Sequence, residues 1–326
     1  MGLMVMNKIK IVFLDHNTFP DEIQLKEISY SNEIIYYPHT TPDEIADRVK
    51  DADIIITNKV KITADVLTKA KKLRFIAVAA TGTDVIDLKA CSKKGILVAN
   101  IRNYAVNTVP EHTFALMLAL RRSIVVYANS VKMGEWQQAN QFCYFDFPIK
   151  NLAGSTLGII GDGVLGKAVA EIAKAFGMKV LFSAYKGTTN MGPLYTPFED
   201  VLKQSDIISI HCPLLESTRN MIDVAEFSQM KPSCLLINTA RGGIVNEEAL
   251  CDALITGVIA GAAFDVTQNE PPKKDDLVMK LTNLPNFILT PHISWASIEA
   301  VQSLADMLMD NIESFLAGKP QNIVNS

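Results

Sequence analysis

Short apolar runs alternate with longer amphipathic stretches along the first hundred residues of the chain. Four of the runs are rich in β-branched or aromatic residues, as buried parallel strands are: residues 9–14, 34–37, 53–56 and 75–78. Between them, Thr41-Pro42-Asp43-Glu44 and Thr63-Ala64-Asp65 carry capping and acidic residues that are typical of helix starts. This part of the chain is therefore predicted to form a βαβαβ segment.

A second series of alternating strands and helices begins at Asn151. Six apolar runs recur with helical stretches between them, at residues 157–160, 179–182, 207–210, 235–238, 259–263 and 287–290. Such alternation is typical of a doubly wound parallel sheet. A last helix is predicted over residues 297–317, ending before Gly318.

The helix predicted to begin at Val109-Pro110-Glu111 separates the two series. Its interior, residues 114–120, is apolar on nearly all sides. Such a helix must be covered on more than one side, so we expect it between domains or in a subunit interface.

Length and charge narrow the class of protein. A chain of 326 residues predicts about two domains, at roughly 150 residues each. With 48% hydrophobic residues and a net charge of −4, the composition excludes intrinsic disorder and gives no electrostatic reason to expect a nucleic-acid or membrane partner. No apolar run reaches the roughly 20 residues of a membrane span, and the start lacks the features of a secretory signal.

The five cysteines are odd in number and show no Cys-x-x-Cys spacing. They therefore indicate neither a metal site nor a redox motif, and we expect small buried side chains in a reducing, cytoplasmic location.

A glycine-rich motif follows the first strand of the second series. Gly161-Asp162-Gly163-Val164-Leu165-Gly166 matches G-x-G-x-x-G, and an amphipathic helix follows it. In this context Gly161 permits a tight turn, Gly163 lets the backbone approach a pyrophosphate, and Gly166 allows close helix packing. The motif predicts dinucleotide binding; the alternative is that the glycines serve only a tight turn.

The end of the next strand lacks the acidic residue that usually binds the adenosine ribose. The sequence there is Ser183-Ala184-Tyr185-Lys186. We expect NAD as the cofactor and leave NADP open, because the carboxylate that would reject a 2′-phosphate is absent near Ala184. Ser183 and Lys186 are candidates for binding such a phosphate; the alternative is that Lys186 is simply solvated.

Hydride transfer to a carbonyl requires a cation, a proton donor and a partner for that donor. His292 and Arg241 each follow a predicted strand at its carboxyl end, where open α/β sheets bind their ligands. Glu270 lies in a proline-rich loop, and a carboxylate bonded to an imidazole stabilises the protonated ring. His211 is expected to form a turn against the cofactor, whereas His112 is expected to be a structural histidine.

In order along the chain, these motifs resemble the D-isomer-specific 2-hydroxyacid dehydrogenase family, in its glycerate dehydrogenase or hydroxypyruvate reductase branch. The resemblance spans nearly the whole chain and rests on G-x-G-x-x-G, Thr-Ala-Arg-Gly-Gly, Phe-Asp-Val…Glu-Pro-Pro and Thr-Pro-His-Ile-Ser-Trp-Ala-Ser. It implies that Arg241 binds the substrate carboxylate and carbonyl, that His292 transfers the proton, and that Glu270 pairs with His292.

The resemblance also implies further substrate and cofactor contacts. Backbone N–H groups at Thr81 and Gly82 would hold the substrate carboxylate. Lys59 and Trp295 are candidates for pocket walls or, equally, for packing residues. The expected cofactor site comprises Thr108, Gly161, Gly163, Val164, Leu165, Gly166, Ser183, Lys186, His211, Cys212, Pro213, Thr218, Thr239, Ala240, Arg241, Asp265 and His292, with Asp265 at the nicotinamide carboxamide and Thr108 at the phosphates.

The architecture that the resemblance implies is α/β, with two doubly wound parallel-sheet domains. A Rossmann NAD(P)-binding domain at residues 103–293 would be inserted into a flavodoxin-like catalytic domain at residues 1–102 and 294–326. Substrate would bind in a cleft that closes to exclude water. A homodimer is expected, with the helix after Pro110 and the aromatic segment 136–147 at its interface.

The predicted activity is hydride transfer between NAD(P)H and a short 2-oxo acid, giving a D-2-hydroxy acid. Hydroxypyruvate and glyoxylate are the expected substrates, and no metal is expected. One alternative is a dinucleotide-sensing protein similar to the corepressors of the family. Another is a D-lactate-, formate- or phosphite-type dehydrogenase.

Overall fold

The computed structural model describes residues 8–188 and 190–325 of the chain. The chain divides into two units: unit 1 comprises Met1–Tyr104 and Ala296–Ser326, and unit 2 comprises Ala105–Trp295. Unit 2 is therefore inserted in sequence between the two segments of unit 1.

Unit 1 is built on a parallel sheet. Its strands, within the described residues, are β1 (Ile9–Phe13), β2 (Asn32–Tyr36), β3 (Ile54–Thr57), β4 (Phe75–Val78) and β5 (Leu97–Ala99), in the spatial order β2-β1-β3-β4-β5. This is the flavodoxin-like order. Its helices there are α1 (Ile45–Val49), α2 (Ala64–Lys69), α3 (Leu88–Lys93) and α12 (Ile298–Leu316), the last helix of the chain, with short 3-10 turns at His16–Thr18 and Pro42–Glu44.

Burial and capping explain why these residues form these elements. All residues of β3 and β4 are buried, as expected of central parallel strands that are covered on both faces. Thr63 Oγ1 accepts the N–H of Val66 at the start of α2, and Ser297 Oγ accepts the N–H of Ala300 at the start of α12.

Unit 2 holds the second parallel sheet. Its described strands are β6 (Thr156–Ile160), β7 (Lys179–Ser183), β8 (Tyr195–Thr196), β9 (Ile207–Ile210), β10 (Leu235–Asn238), β11 (Gly261–Phe264) and β12 (Phe287–Leu289). Their spatial order is β12-β11-β10-β9-β6-β7-β8, which is the Rossmann order extended by one strand. Successive strands are added to one side of β6 up to β8 and to its other side from β9 onward. The switch point of the sheet therefore lies between β6 and β9, and ligands are expected at the carboxyl ends of these two strands.

The helices of unit 2, as far as the structure describes them, are α4 (Thr108–Arg121), α5 (Ile124–Lys132), α6 (Glu135–Ala139), α7 (Val164–Ala175), α8 (Phe198–Gln204), α9 (Val224–Phe227), α10 (Glu247–Ile255) and α11 (Leu277–Leu281), with a 3-10 turn at Glu216–Thr218. The apolar helix α4 buries Phe114, Leu116 and Met117 in the core beside β6 and α7. Its position at a domain or subunit interface stays a prediction. Within the described residues, no single helix is long and apolar enough to cross a membrane, although α4 and α5 together, bent by 59°, meet the same length and composition criteria.

The predicted fold class is confirmed, with differences in the bounds and number of strands. Strands β5 and β8 are not predicted from the sequence, because strands of three and two residues carry too few positions for a periodic pattern. Strand β11 begins at Gly261 rather than Ile259, because its partner β10 begins at Leu235, which pairs with Gly261.

Candidate active site

The turn between β6 and α7 requires glycine at two positions. Gly161 has φ +109°, and a Cβ on it would lie 2.6 Å from the backbone carbonyl carbon of His211. A Cβ on Gly166 would lie 2.0 Å from the carbonyl oxygen of Gly161. The turn therefore runs directly against the end of β9, where His211 N donates to the carbonyl of Ile160 at 2.7 Å.

The N-terminus of α7 has the geometry of an anion site. Gly163 is the N-cap residue, it is exposed, and no atom lies within 4 Å of a Cβ built on it. The first N–H groups of a helix have no partner within the helix and carry a partial positive charge. The open space at Gly163 and these N–H groups fit the pyrophosphate of a dinucleotide.

Two side chains beside the glycine turn are uncharged at neutral pH. Burial lowers the pKa of His211 to about 4 and raises the pKa of Cys212 to about 11. Ser209 Oγ lies 2.8 Å from His211 Nε2. Because these side chains carry no charge, they add no attraction for an anion to that of the helix N-terminus.

A histidine and a carboxylate meet just beyond the carboxyl end of β12. His292 Nδ1 lies 2.6 Å from Glu270 Oε2, and the two side chains are 22% and 34% exposed. Glu270 Oε1 accepts the N–H of Thr267 at 3.2 Å, which fixes the carboxylate. Because Nδ1 faces Glu270, Nε2 points away from the carboxylate on the other side of the ring.

The buried carboxylate of Asp265 anchors the turn that carries His292. It accepts a hydrogen bond from Thr290 Oγ1 at 2.5 Å, before His292, and from the N–H groups of the next two residues, Ile293 at 3.0 Å and Ser294 at 2.8 Å. His292 itself has φ +55°, in the left-handed region. The anchors on both sides hold this conformation in place.

His112 belongs to the same network, which the sequence analysis missed. Its Nε2 lies 3.1 Å from Thr290 Oγ1 and 3.6 Å from Asp265 Oδ1. His112 and Thr290 are 178 positions apart, so no local pattern could indicate the contact. His112 contacts Thr290 and Asp265, which hold the turn around His292, and these contacts fit the prediction of a structural histidine.

Arg241 lies in the turn that follows β10. Asn238 Nδ2 donates to the carbonyl of Arg241 at 3.0 Å, which stabilises the turn. A Cβ on Gly242 would lie 1.9 Å from the carbonyl oxygen of Thr267. This close approach places the Arg241 turn against the loop that carries Glu270.

Other predicted cofactor residues lie in the same unit, Thr108 at the start of α4 and Thr218 at the end of a 3-10 turn. Thr108 Oγ1 donates to the carbonyl of Ser294 at 3.1 Å, and Thr218 Oγ1 donates to the carbonyl of Pro213 at 2.7 Å. Thr239 is buried directly after β10. Val164 and Leu165 are the first two residues of α7, and Cys212 and Ala240 lie in the segments that follow β9 and β10.

At the end of β7, Ser183 is buried and its Oγ donates to the carbonyl of Ala184 at 2.7 Å. Lys186 Nζ lies 2.7 Å from Glu226 Oε1 and donates to the carbonyl of Met221. Lys186 is therefore ion-paired and not simply solvated.

The predicted substrate residues Lys59, Thr81 and Gly82 lie in unit 1. The N–H of Lys59 donates to Asp15 Oδ2 at 2.6 Å, and burial raises the pKa of this aspartate. The carbonyl of Thr81 accepts from Asn100 Nδ2 at 2.7 Å. Trp295, in unit 2, donates from Nε1 to the carbonyl of His292 at 2.8 Å. The roles assigned to these residues stay predictions.

Fold and site together define a class of protein. Unit 2 has the Rossmann strand order and a glycine turn that fits a pyrophosphate, and a histidine–carboxylate pair lies at the same carboxyl edge of its sheet. Across residues 8–188 and 190–325, no group of three or more His, Cys, Asp and Glu residues is arranged to hold a metal ion. The strand order, the glycine turn and the histidine–carboxylate pair define an NAD(P)-dependent dehydrogenase.

Comparison with known proteins identifies the family. Residues 114–294 match the family model described as "D-isomer specific 2-hydroxyacid dehydrogenase, NAD binding domain". The chain is 52% identical to a glycerate dehydrogenase of Methylorubrum extorquens over 318 residues, which cover 97% of this chain and 99% of that protein. The chain therefore belongs to the D-isomer specific 2-hydroxyacid dehydrogenase family, and the predicted resemblance is confirmed.

Solved structures agree with this assignment. A D-lactate dehydrogenase of Aquifex aeolicus, complexed with NAD and lactic acid, has a TM-score of 0.81 and 29% identity, with 97% of this chain and 99% of that chain covered. An acyclic imino acid reductase in complex with NADPH and D-Arg has a TM-score of 0.83 and 31% identity, with the same shares covered. The predicted activity as an NAD(P)-dependent 2-oxo acid reductase is confirmed.

Proposed function

We propose that this protein interconverts hydroxypyruvate and D-glycerate with NAD(P)H as the hydride donor. The observation that carries the proposal is the 2.6 Å contact between His292 and Glu270, in the unit whose β6–α7 turn fits a dinucleotide. The similarity to the Methylorubrum extorquens glycerate dehydrogenase supports the substrate, because oxidation of glycerate at C2 gives hydroxypyruvate.

His292 acts as the proton donor in this proposal. When bound, the reduced nicotinamide supplies a hydride to C2 of the substrate. His292 Nε2 gives a proton to the carbonyl oxygen, so that one hydride and one proton convert the ketone to the alcohol. Glu270 holds Nδ1, stabilises the imidazolium before transfer and fixes the ring. The neutral imidazole then regains a proton from solvent, to which it is 22% exposed.

Arg241 is proposed to bind the substrate carboxylate and carbonyl. A guanidinium presents a planar fork of donors that matches a carboxylate. Its turn runs against the Glu270 loop at Gly242, which supports a common site for the two side chains. We propose Asp265 and Thr108 as cofactor-binding residues, each tied to the backbone of Ser294.

An assay of substrate range tests the proposal. Oxidation of NADH and of NADPH is followed with hydroxypyruvate, glyoxylate, pyruvate and longer 2-oxo acids, and the product is resolved by chiral chromatography. We expect hydroxypyruvate to give the highest kcat/KM and to yield D-glycerate. A higher value with pyruvate would contradict the proposed substrate. Tight dinucleotide binding without turnover of any 2-oxo acid would contradict enzymatic function and favour a dinucleotide-sensing protein.

A further inference from the structure

Strand β7 ends without an acidic side chain where dinucleotide-binding folds usually carry one. That acid accepts hydrogen bonds from the adenosine ribose and disfavours a 2′-phosphate. Here Ser183 and Ala184 are buried, and the Ser183 hydroxyl is bonded to the Ala184 carbonyl. The charge of Lys186 is balanced by Glu226 at 2.7 Å. These residues therefore offer neither an acid to the ribose nor an unbalanced cation to a 2′-phosphate.

A carboxylate reaches this part of the sheet from the glycine turn instead. Tyr195 Oη donates to Asp162 Oδ2 at 2.6 Å. Tyr195 lies in β8 and pairs with Phe182 of β7, and the next residue, Thr196, pairs with Ser183. The hydrogen bond therefore ties Asp162 to the strand that lies alongside the end of β7.

The negative charge of this pair belongs to Asp162. The hydrogen bond to Asp162 raises the pKa of Tyr195, because loss of the phenol proton would break the bond and place two negative charges side by side. A carboxylate has about four acceptor positions, and the hydrogen bond from Tyr195 takes one of them. Acceptor positions on Asp162 therefore remain for the two hydroxyls of a ribose.

We propose that Asp162 recognises the adenosine ribose and makes this enzyme prefer NAD(H) to NADP(H), with Tyr195 as the positioning residue that holds the carboxylate. The inference rests on the proposed dinucleotide-dependent function. A 2′-phosphate would meet the charge of Asp162, while Lys186 is already paired with Glu226. The carboxylate that the end of β7 lacks is thus supplied by the second position of the glycine motif.

Direct binding tests this assignment without turnover. NADH and NADPH are titrated in the absence of substrate, with nicotinamide fluorescence as the readout, against the wild type and the variants Asp162→Asn, Tyr195→Phe and Glu199→Gln. We expect the wild type to bind NADH at least about tenfold more tightly than NADPH, since a charged hydrogen bond and like-charge repulsion both favour NADH. In Asp162→Asn the NADH affinity should fall about tenfold, and the ratio of the two affinities should approach one.

The other variants separate charge from position. Tyr195→Phe keeps the carboxylate, so NADH binding should weaken while NADPH is still disfavoured. Glu199→Gln removes an exposed carboxylate in the first turn of α8 and should leave the ratio unchanged. Asp162→Ser is a second replacement that removes the charge, and its ratio should also approach one.

The outcomes are distinguishable. If the wild type binds both dinucleotides equally, or if the folded Asp162 variants keep its preference, the role of Asp162 is wrong while the proposed function stands. A lower melting temperature with an unchanged ratio would assign Asp162 a structural role and overturn the proposal. If the wild type binds neither NADH nor NADPH, the proposed function itself fails.

Discussion

His292 is positioned by contacts to the backbone around it as well as by contacts to its ring. Trp295 donates to its carbonyl, and the buried carboxylate of Asp265 accepts from Thr290 before it and from the backbone after it. Residues other than glycine rarely adopt a φ of +55°, so these hydrogen bonds are needed to hold His292 in this conformation. None of these contacts involves the imidazole ring, and the loop should therefore persist when the ring is removed.

His292→Ala tests the proton transfer at this position. We expect kcat to fall by about 10²–10⁴, the usual range for loss of a general acid, while the Kd for NADH changes by less than about threefold. Steady-state kinetics and fluorescence titration measure the two effects. His39→Ala, at an exposed histidine of unit 1, is the control and should keep wild-type activity. Full activity of His292→Ala would show that another group supplies the proton.

The stability of the protein should depend on His211 in acid. Burial lowers its pKa to about 4 from an ordinary value of 6.5, so below pH 6.5 the unfolded chain binds a proton that the folded chain does not. The free energy of unfolding is therefore unaffected by this group above pH 6.5. It falls as the pH decreases towards 4, and at pH 5 it is lower by about 2 kcal/mol.

Thermal unfolding without ligand measures this effect. The decrease in Tm between pH 7.5 and pH 5 should be smaller in His211→Gln than in the wild type, because glutamine does not titrate. Equal decreases in the two proteins would contradict the assignment, whatever the Tm of the variant at pH 7.5.

At the scale of elements, the glycines of the β6–α7 turn are needed for different reasons. Gly161 and Gly166 have backbone atoms at 2.6 Å and 2.0 Å from an added Cβ, so the fold itself demands glycine there. Gly163 has open space around it and an extended backbone. Packing of the chain therefore does not require glycine at position 163, whereas a ligand that approaches the backbone there would.

Alanine at Gly163 and at Gly166 should separate binding from folding. Gly163→Ala is expected to keep the wild-type Tm while the Kd for NADH rises by about tenfold or more, because the methyl group occupies the approach to the N–H groups. Gly166→Ala is expected to lower Tm by several degrees, because α7 must move away from Gly161. Calorimetry and NADH titration measure the two quantities. Unchanged NADH binding in Gly163→Ala would contradict a pyrophosphate at this turn.

At the scale of the whole molecule, the chain leaves a group of large apolar side chains exposed in unit 2. They lie on α5, on α6 and in the loop that follows: Val125 at 46%, Trp136 at 46%, Phe142 at 91% and Phe145 at 78% exposure. Large exposed apolar side chains concentrated in one segment of the chain are typical of an interface with another protein. A second copy of this chain is the partner that the sequence analysis predicts.

We therefore expect a homodimer in solution. Light scattering coupled to size-exclusion chromatography should give the mass of two chains for the wild type and of one chain for the double variant Phe142→Ser/Phe145→Ser. A single-chain mass for the wild type would contradict the prediction. Ile255→Ser, at an exposed apolar residue that ends α10, is the control and should remain dimeric.

Much of the fold could be predicted because its strands are buried on both faces. Strands β3, β4, β9 and β10 consist entirely of buried residues, and such strands appear as continuous apolar runs. Strand β8 could not be predicted, since two residues form a strand only through pairing with β7. The existence of Glu270 and His292 could be read from the chain, but their 2.6 Å contact could not.

The sequence by itself determined the alternation of strands and helices, the glycine motif and the types of side chain available for chemistry, because each depends on residues that are close along the chain. The tertiary structure alone decided which of these side chains meet. Asp162 reaches Tyr195 across 33 positions, and His112 reaches Thr290 across 178. Both contacts follow from the order of strands in the sheet and from the direction of each side chain, and neither property is encoded in a local pattern.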